Sequence, residues 1–558
     1  MTTAEFHFSP RPNRAAEVGW RPWSEPAFEE ARRLDRPILL SISAVWCHWC
    51  HVMDETTYSN EGVIELIKRE FVPVRVDNDV RPDINQRYNM GGWPTTAFLT
   101  PSGDILTGGT YIPPEQMAAA LSQIASVYRT SKAEIATRAL EGRKRAVSTA
   151  ARSAGDIDFA QVDAILDAVR SAYDPRYGGF GPAPKFPQTD ALALLLEQSQ
   201  VRGDAELRAM AVHTLEQMAG GGMYDHVEGG FFRYSTTQDW SVPHFEKMLE
   251  DHAGLVADLA LAGMTDVLDS ATGYLDRTLR DPSTGLYAGS QDADEVYYSL
   301  DAEGRKGENA PYVDRRVYSS WNCQLAVAYL DAARRCERLQ LRAHAQRLLE
   351  SLFASAYTAA GGLRHTDGAD GQLADQAWGM LAAVRAYQSG LGGRWLEIAL
   401  ELSRHLDERY GDDRLGGYFD RAAGAEQLGR LEDQIKPLVE NSIAAMALIE
   451  LDTLIGDPQQ KHLGTARRAL ESVAALPRQY GLMAALYARA LDRLRRPVKV
   501  TTGSEELARA VVRALPYAVI EPSEDQRAVV CVGTICLAPV STPDAVDEAI
   551  KEALAISD

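Results

Sequence analysis

The sequence predicts a multidomain fold in which an α/β domain is followed by a helical toroid of the (α/α)6 type and a small C-terminal α/β element. Three observations support this fold class. The 558 residues are about three to four times the usual length of one domain. Strand-like apolar runs occur near both ends of the chain and almost vanish between residues 156 and 495. In that middle region a loop of glycine and aromatic residues recurs.

The first α/β domain is predicted at residues 1–130. The order strand, helix, strand and hairpin is typical of one α/β domain. Residues 131–155, rich in Ala, Lys and Arg, indicate a helical connector. The predicted elements are strand 37–43, helix 62–71, strand 72–77, two strands within 95–106 joined at Ser102-Gly103, and a helix from about Glu115.

Residues 156–495 are predicted to be the toroid. The recurring loop marks a degenerate internal repeat, and each unit has about the length of a helical hairpin plus a loop. Twelve helices in six hairpins can close into a ring, which needs no polar capping repeats at its ends; an open solenoid is the alternative. The loops are 177–181, 228–234, 284–290, 360–365 and 415–420. Helices are expected to begin near residues 159, 189, 204, 244, 265, 319, 339, 372, 393, 438, 460 and 479.

Strand signals return in the C-terminal element, residues 496–558. Two apolar runs flank Gly533-Thr534, which suits a two-residue type II′ hairpin. That register places Val532 opposite Ile535 and Cys531 opposite Cys536. Cys531 and Cys536 are therefore a second possible redox pair; packed free thiols and metal binding are the alternatives.

Charge and composition exclude several classes of function. The net charge is −20, whereas proteins that bind nucleic acids or anionic membranes usually carry a basic surplus. No apolar run reaches the length of a membrane span, and the N-terminus lacks the apolar core of a signal peptide. We therefore expect a cytoplasmic protein without nucleic-acid or membrane partners. The residues predict no cofactor and no dedicated metal site.

The segment Cys47-His-Trp-Cys50-His51 carries the clearest chemical signal. It follows a predicted buried strand and opens a helix, whose positive N-terminal end favours a thiolate. Cys47 would be the exposed nucleophile and Cys50 the resolving thiol, while His48 as an imidazolium would stabilise the thiolate. Haem attachment, zinc binding by both cysteines with His48 or His51, and an inert buried pair are the alternatives.

Further motifs identify a resemblance that covers nearly the whole chain. Pro94, preceded by Trp93, opens a strand about forty residues after the cysteines and resembles the cis-proline loop of thioredoxins. Together with the helical motifs, this resembles the thioredoxin-domain-containing family whose mammalian member is the spermatogenesis-associated protein. The resemblance implies a thioredoxin-like domain fused to a toroid of the six-hairpin glycosidase and N-acylglucosamine epimerase type. The motifs are 91-GGWPTTAFLTPSG-103, 178-GGFGPAPKFP-187, 221-GGMYDHVEGGFFRYS-235, 242-VPHFEKMLEDHA-253, 291-QDAD-294, 320-SWN-322 and 441-NS-442.

One departure concerns proton transfer at the disulfide. Thioredoxins carry a buried Asp six residues before the nucleophile, and this chain has Ser41 there. His48 or His51 would have to replace that Asp as a proton relay. Pro94 would orient a protein partner that supplies a thiol or a disulfide.

The toroid carries a second group of candidate residues. A helix beginning near Pro243 would place His244, Lys247 and Asp251 on one face, with Glu246 beside them. Acidic and aromatic side chains in a toroid cavity suit a carbohydrate. Glu246 with Asp292 or Asp294 could be a glycosidase pair, His244 could be an epimerase base, and the cluster could alternatively bind a ligand without turnover or only join loops. The predicted substrate-binding residues are Asp225, Arg233, His244, Glu246, Asp292, Asp294, Trp321, Asn322 and Asn441.

Two functions are therefore predicted. One is a thiol–disulfide oxidoreductase that carries a carbohydrate-binding type of toroid. The other is a carbohydrate-active enzyme or sugar-binding protein with a regulatory thioredoxin domain. Fold resemblance alone does not choose between them.

Overall fold

The computed structural model describes residues 6–135, 137–138, 141–142 and 153–557, which divide into two compact units. Unit 1 takes the chain up to residue 151 together with Asp292–Asp294 and Gly424–Ile435, and unit 2 takes the remainder. Among the described residues, no helix combines the length and apolar character that a membrane span requires.

Unit 1 contains a four-stranded sheet with the strand order β2-β1-β3-β4. Strand β1 is parallel to β2 and antiparallel to β3, which pairs with β4. Because side chains alternate along β1, Ile38, Leu40 and Ile42 enter one apolar cluster while Leu39 enters another on the opposite face. The predicted strands and hairpin are confirmed. The strands are β1 Ile38–Ser43, β2 Val72–Asp77, β3 Thr95–Leu99 and β4 Ile105–Gly109.

Helices cover both faces of this sheet. Each of these helices is amphipathic or short. Asn60 is the N-cap residue of α3, and its side chain accepts the Val63 N–H. The predicted connector 131–155 lies largely outside the described residues. The helices are α1 Glu25–Leu34, α2 His48–Glu55, α3 Glu61–Glu70, α4 Pro82–Tyr88 and α5 Pro114–Thr130.

The segment Gly424–Ile435 completes the core of unit 1. Leu428 and Leu431 enter the cluster formed by Trp23, Phe28 and the apolar side chains of β1. The Tyr88 hydroxyl donates to the Gly103 carbonyl and accepts from the Arg430 N–H. We had predicted both this segment and residues 292–294 as part of the toroid, because they lie between its helices in sequence.

Unit 2 contains the ring of helices. Within residues 153–495, all of them described, twelve helices alternate between an inner and an outer position. The first and last inner helices pack on each other, so the ring is closed and the solenoid alternative is wrong. The inner helices are α7 Thr189–Arg202, α9 Leu249–Ala262, α13 Ser319–Arg335, α15 Leu373–Gln388, α17 Leu438–Ile455 and α20 Ala485–Arg495.

Each outer helix packs mainly on one inner neighbour. Because inner and outer helices alternate along the chain, all inner helices run in the same direction and their N-termini lie at one end of the ring. The outer helices are α6 Ala160–Ala172, α8 Ala205–Gly220, α10 Thr265–Tyr274, α14 Leu339–Ala356, α16 Arg394–Arg409 and α18 Lys461–Glu471. Shorter elements between ring helices are β5 Tyr234–Ser235, β6 Pro243–His244, β7 Lys247–Met248, β8 Ser290–Gln291, α11 Glu295–Tyr298, α12 Ala302–Arg305, β9 Val313–Asp314, β10 Tyr357–Thr358, β11 Gly362–Leu363 and α19 Pro477–Tyr480.

The C-terminal element belongs to unit 2 and packs where the inner helices end. Its Ile520 N–H donates to Gln388 at the end of α15, and Tyr517 donates to Asp492 near the end of α20. The sheet order is β13-β12-β14-β15. The elements are β12 Val498–Thr502, α21 Glu505–Ala514, β13 Val519–Pro522, β14 Val529–Val532, β15 Ile535–Cys536 and α22 Pro543–Ser557.

Candidate functional sites

Cys47 and Cys50 form a disulfide at the start of α2, with their Cα atoms 5.2 Å apart. Cys47 is the N-cap residue, and its Sγ accepts the Cys50 N–H at 3.2 Å. This side chain therefore folds back over the first turn, and only 3% of Cys47 is exposed. The exposure that we predicted for Cys47 is wrong for this disulfide state. A partner thiol must displace neighbouring atoms to reach the sulfur.

The loop that carries Pro94 is joined to the residue that precedes Cys47. The Trp93–Pro94 peptide bond is cis, and β3 begins directly after it. The Trp93 ring packs edge-on against Trp46 with a centroid distance of 5.6 Å, and Trp46 Nε1 donates to Asp79 at 2.7 Å. Trp46 is thus a buried packing residue that ties this loop to the start of α2.

The two residues between the cysteines differ in exposure. His48 is half-buried with its ring edge-on to Trp49, at a centroid distance of 5.7 Å. Trp49 is 46% exposed and packs on Tyr111. A large apolar ring therefore lies at the surface directly between the cysteines in sequence, where a protein partner could contact it.

A buried ion pair joins Asp54 of α2 to Arg75 of β2. Ser41 is paired across the sheet with Arg75, whose guanidinium donates to both oxygens of Asp54 at 2.7 and 3.0 Å. Burial lowers the pKa of His51 to about 3, and the positive charges of His7, Arg75 and His48 act in the same direction. His51 is thus neutral at physiological pH and does not supply positive charge to a thiolate.

In unit 2, His244 and Glu246 form a polar pair at the edge of an aromatic stack. His244 Nδ1 lies 2.7 Å from Glu246 Oε1, and the His244 ring stacks on Tyr234 at 4.9 Å. The other face of this stack is formed by Phe186, which lies 4.8 Å from Tyr234 and is 38% exposed. Burial and the Glu246 charge raise the pKa of Tyr234 to about 12 despite Arg233.

Two carboxyl groups in the first turns of inner helices have raised pKa values. Burial raises the pKa of Asp251 in α9 to about 6; Arg233 opposes the shift and Glu246 adds to it. Asp251 Oδ2 is buried and has no hydrogen-bond partner among the described residues. Burial also raises the pKa of Glu440 in α17 to about 6, with Asp420 adding to the effect. Both groups lie at the same end of the ring, because the inner helices run in one direction.

The predicted helix near residue 243 is wrong. His244 lies in β6 and Lys247 in β7, and the helix begins only at Leu249. Three short strands lie in this region and pair Tyr234 with His244 and Lys247 with Gln291, which a helical periodicity in the sequence cannot reveal. His244, Lys247 and Asp251 therefore do not share one helical face.

Several predicted ligand-binding residues instead anchor loops. Asn322 is fully buried and pairs with both the N–H and the carbonyl of Tyr287, and Asn441 does the same with Tyr418. Asp225 accepts from Lys247 and Arg305 at 2.7 and 2.8 Å. Burial opposes its ionisation, yet Arg305 and Lys247 lower the pKa of Asp225 to about 2. These three side chains therefore anchor loops in the structure, and the ligand contact predicted for them stays a prediction.

The placement of the remaining predicted residues is mixed. Trp321 is half-buried and packs on Tyr318 at 4.6 Å, and Arg233 is half-buried beside Asp251. Asp292 and Asp294, predicted in the toroid cavity, belong to unit 1. The chain passes from unit 2 to unit 1 directly after β8. Asp292 and Asp294 were predicted in the cavity because they lie next to a ring loop in the sequence. Glu440 was not predicted as a site residue, although it directly precedes the motif at residues 441–442.

The C-terminal hairpin has the predicted register. Val532 pairs with Ile535 and Cys531 with Cys536, and Gly533 has a φ of +57°, as the first position of a type II′ turn requires. Cys531 and Cys536 form a disulfide, so the alternative of two packed free thiols is not observed.

Comparisons with known proteins match one family model to part of this chain and identify several relatives. Residues 11–145 match the model of the thioredoxin-like DsbH family, described as a protein of unknown function, DUF255. Human spermatogenesis-associated protein 20 is 37% identical over 312 residues, which are 50% of this chain and 39% of that protein. An uncharacterized protein of Caenorhabditis elegans is 35% identical over 260 residues, or 43% of this chain and 35% of that protein. The chain thus spans about two fifths of the curated relatives that it matches.

Solved structures similar to this chain include two sugar-converting enzymes. D-mannose isomerase has a TM-score of 0.46 and 14% identity, covering 59% of this chain and 97% of that chain. Cellobiose 2-epimerase from Spirochaeta thermophila DSM 6192 has a TM-score of 0.46 and 17% identity, covering 63% and 97%. The family match and the curated relatives confirm the resemblance inferred from the sequence motifs.

Proposed function

We propose that this chain, whose residues 11–145 match a thioredoxin-like family, is a thiol–disulfide oxidoreductase that acts through Cys47 and Cys50. The observation that carries the proposal is the disulfide at the N-terminus of α2, tied through Trp46 and Trp93 to the loop of Pro94. The positive dipole end of α2 and the Cys50 N–H, which Cys47 Sγ accepts, stabilise a thiolate at Cys47.

In the reducing direction, the Cys47 thiolate attacks one sulfur of a partner disulfide. A mixed disulfide forms and the partner's other sulfur leaves as a thiolate. The Cys50 thiolate then attacks Cys47 Sγ, which forms the Cys47–Cys50 disulfide and releases the second partner thiol. Two electrons pass to the partner, and the proton of the Cys50 thiol goes to solvent or to the leaving sulfur.

The test is the reduction of insulin disulfides by dithiothreitol with the purified full chain as catalyst. Wild type should accelerate the reaction, Cys47→Ser should fall to the uncatalysed rate, and Cys50→Ser should accumulate a mixed disulfide. The matched control is the double variant Cys531→Ser/Cys536→Ser, which removes the other disulfide and should keep the wild-type rate. Catalysis that persists in Cys47→Ser would contradict the proposal.

A second candidate function, carbohydrate binding or conversion by the toroid, is favoured by the ring end that holds His244 and Asp251. Glu246 Oε1, 2.7 Å from His244 Nδ1, orients the imidazole ring. The carboxyl group of Asp251, with a pKa of about 6, can donate a proton near neutral pH. The exposed Phe186 supplies an aromatic surface of the kind that stacks on sugars.

This second candidate is tested by thermal shift with a panel of mono- and disaccharides. A sugar that stabilises wild type should have no effect on Glu246→Gln, which is isosteric and should change apo stability by less than about 2 kcal/mol. Glu216→Gln is the matched control, since Glu216 is exposed on the outer helix α8 and its variant should keep the shift. The candidate function fails if no sugar shifts wild type or if both variants lose the shift equally.

A further inference from the structure

Three potential metal ligands meet in unit 1, although they are far apart in the sequence. One nitrogen of His7, one nitrogen of His51 and one carboxylate oxygen of Asp292 all lie within 4.8 Å of one another. His51 Nδ1 is 3.7 Å from Asp292 Oδ2, and the two imidazole rings have a centroid distance of 5.9 Å. We propose that these three side chains bind one divalent transition-metal ion.

The distances are close to those that such an ion requires. Zinc binds histidine nitrogen at about 2.0–2.1 Å and carboxylate oxygen at about 2.0–2.2 Å, which in a tetrahedral site sets ligand atoms roughly 3.3 Å apart. The His51–Asp292 separation of 3.7 Å exceeds this by only a few tenths of an ångström. Small side-chain rotations would close the remaining gap around an ion.

The burial of the cluster provides an independent argument. Asp292 is 3% exposed and His51 is 8% exposed, so both polar groups have lost most of their contact with water. Removing polar groups from water costs free energy, and coordination of an ion by His51 and Asp292 would offset that cost.

Asp292 is the anionic member of the cluster. Arg75, whose charge also acts on His51, is paired with Asp54 through two hydrogen bonds of 2.7 and 3.0 Å. Asp292 therefore supplies a negative charge that an ion can use. Two imidazoles and one carboxylate match zinc or iron(II) rather than calcium or magnesium, which prefer oxygen ligands. Three protein ligands leave at least one coordination position open for water or another ligand.

The proposed site is distinct from the disulfide but lies on the same helix. His51 directly follows Cys50 in α2, so the ion would be held by the element that carries the redox pair. The cysteines are not needed as ligands, because in this structure they are bonded to each other. The metal site and the redox proposal can therefore fail independently.

The test uses the full oxidised chain, treated with EDTA and then titrated with Zn²⁺ by calorimetry, with metal content measured after dialysis. We expect one zinc per chain, and the same result for Cys47→Ser/Cys50→Ser. His7→Gln and Asp292→Asn should each weaken binding by at least about tenfold. His226→Gln, which removes an exposed histidine of unit 2, should bind as wild type does.

Cobalt(II) provides a second readout, because its visible absorption reports the geometry of its ligands. Wild type should show a tetrahedral or five-coordinate band that disappears in Asp292→Asn. The two test variants keep the size and hydrogen-bonding ability of the native side chains, and circular dichroism verifies their fold. The proposal is overturned if wild type binds no stoichiometric zinc, or if both variants bind zinc with wild-type affinity.

Discussion

At the residue scale, burial in this protein separates groups that look alike in the sequence. Asp225 and Asp251 both lie in the acidic stretch that we singled out, yet their pKa values shift in opposite directions, to about 2 and about 6. Lys247 and Arg305 pair with Asp225, whereas Asp251 Oδ2 has no hydrogen-bond partner among the described residues. The sequence could identify the cluster but not these partners, because Arg305 is 80 residues away from Asp225.

Asp251→Asn should change the pH dependence of stability. The folded-state pKa of about 6 lies above the ordinary value of 3.8, so ionisation of Asp251 destabilises the folded state. This cost is absent below about pH 4, grows between pH 4 and 6, and is complete above pH 6. Relative to wild type, the variant should therefore gain stability across that window and stay constant above it. Urea unfolding at a series of pH values measures the gain.

Glu250→Gln is the control for this experiment, because Glu250 is an exposed residue in the same helical turn. It should show no such gain between pH 4 and 6. An equal pH dependence in both variants would mean that the carboxyl of Asp251 is not held protonated by its surroundings.

At the element scale, the recurring glycine–aromatic loop has one repeated set of contacts. In the loops at Asp174, Asp225 and Asp412, one carboxylate oxygen accepts backbone N–H groups two and three residues later. The other oxygen accepts from a lysine that also donates to a loop glycine carbonyl. These lysines are Lys185, Lys247 and Lys436.

A second anchor comes from the inner helices. Asn322, Gln376 and Asn441 each pair with the N–H and carbonyl of an apolar or aromatic residue within a loop. The glycines and aromatic residues of the loop identify the repeat in the sequence, and the repeat predicts the closed ring of helices. The anchoring role of the Asp, Lys, Asn and Gln residues could not be predicted, because the two members of each Asp–Lys pair, and each Asn or Gln and its loop partner, are 11 to 35 residues apart in the sequence.

Lys436→Met should destabilise the protein by roughly 3–5 kcal/mol, the usual cost of breaking a buried ion pair. The side chains of Lys436 and Asp412 are only 7% and 14% exposed, and the loss of the lysine would leave Asp412 without its charge partner. The matched control is Lys306→Met, since the Lys306–Glu303 pair is 69% and 81% exposed and should contribute no more than about 1 kcal/mol. Chemical unfolding measures both; equal small losses would show that the loops do not depend on this pair.

At the scale of the whole molecule, the sequence predicted the order of domains but not the two returns of the chain to unit 1. Strand, helix and ring positions follow from local periodicity, and these predictions agree with the structure within a few residues at most boundaries. Asp292–Asp294 and Gly424–Ile435 interrupt the ring without a change in composition, so only long-range contacts place them in unit 1. The proposed metal ligands were missed for the same reason.

Leu431→Ser should destabilise unit 1 selectively. Leu431 is 3% exposed in the cluster of Trp23, Phe28 and β1, and the polar substitution removes its apolar contacts and buries a hydroxyl. Hydrogen exchange should therefore accelerate in β1 and β3, while the inner helix α15 keeps its protection. Leu339→Ser, at a side chain 75% exposed, is the control. Unchanged exchange in β1 would contradict the role of the segment 424–435.

The return of residues 424–435 to unit 1 also orders events during protein synthesis. A domain at the start of a chain usually folds while the ribosome is still making the rest. Here a part of its core is translated roughly 280 residues after residue 151, a delay of about 15 to 60 s at 5–20 residues per second. Until then Trp23 and Phe28 lack the leucines that complete their cluster. The core of the nascent domain therefore stays incomplete, with apolar surface accessible to chaperones, while nine of the twelve ring helices are synthesised.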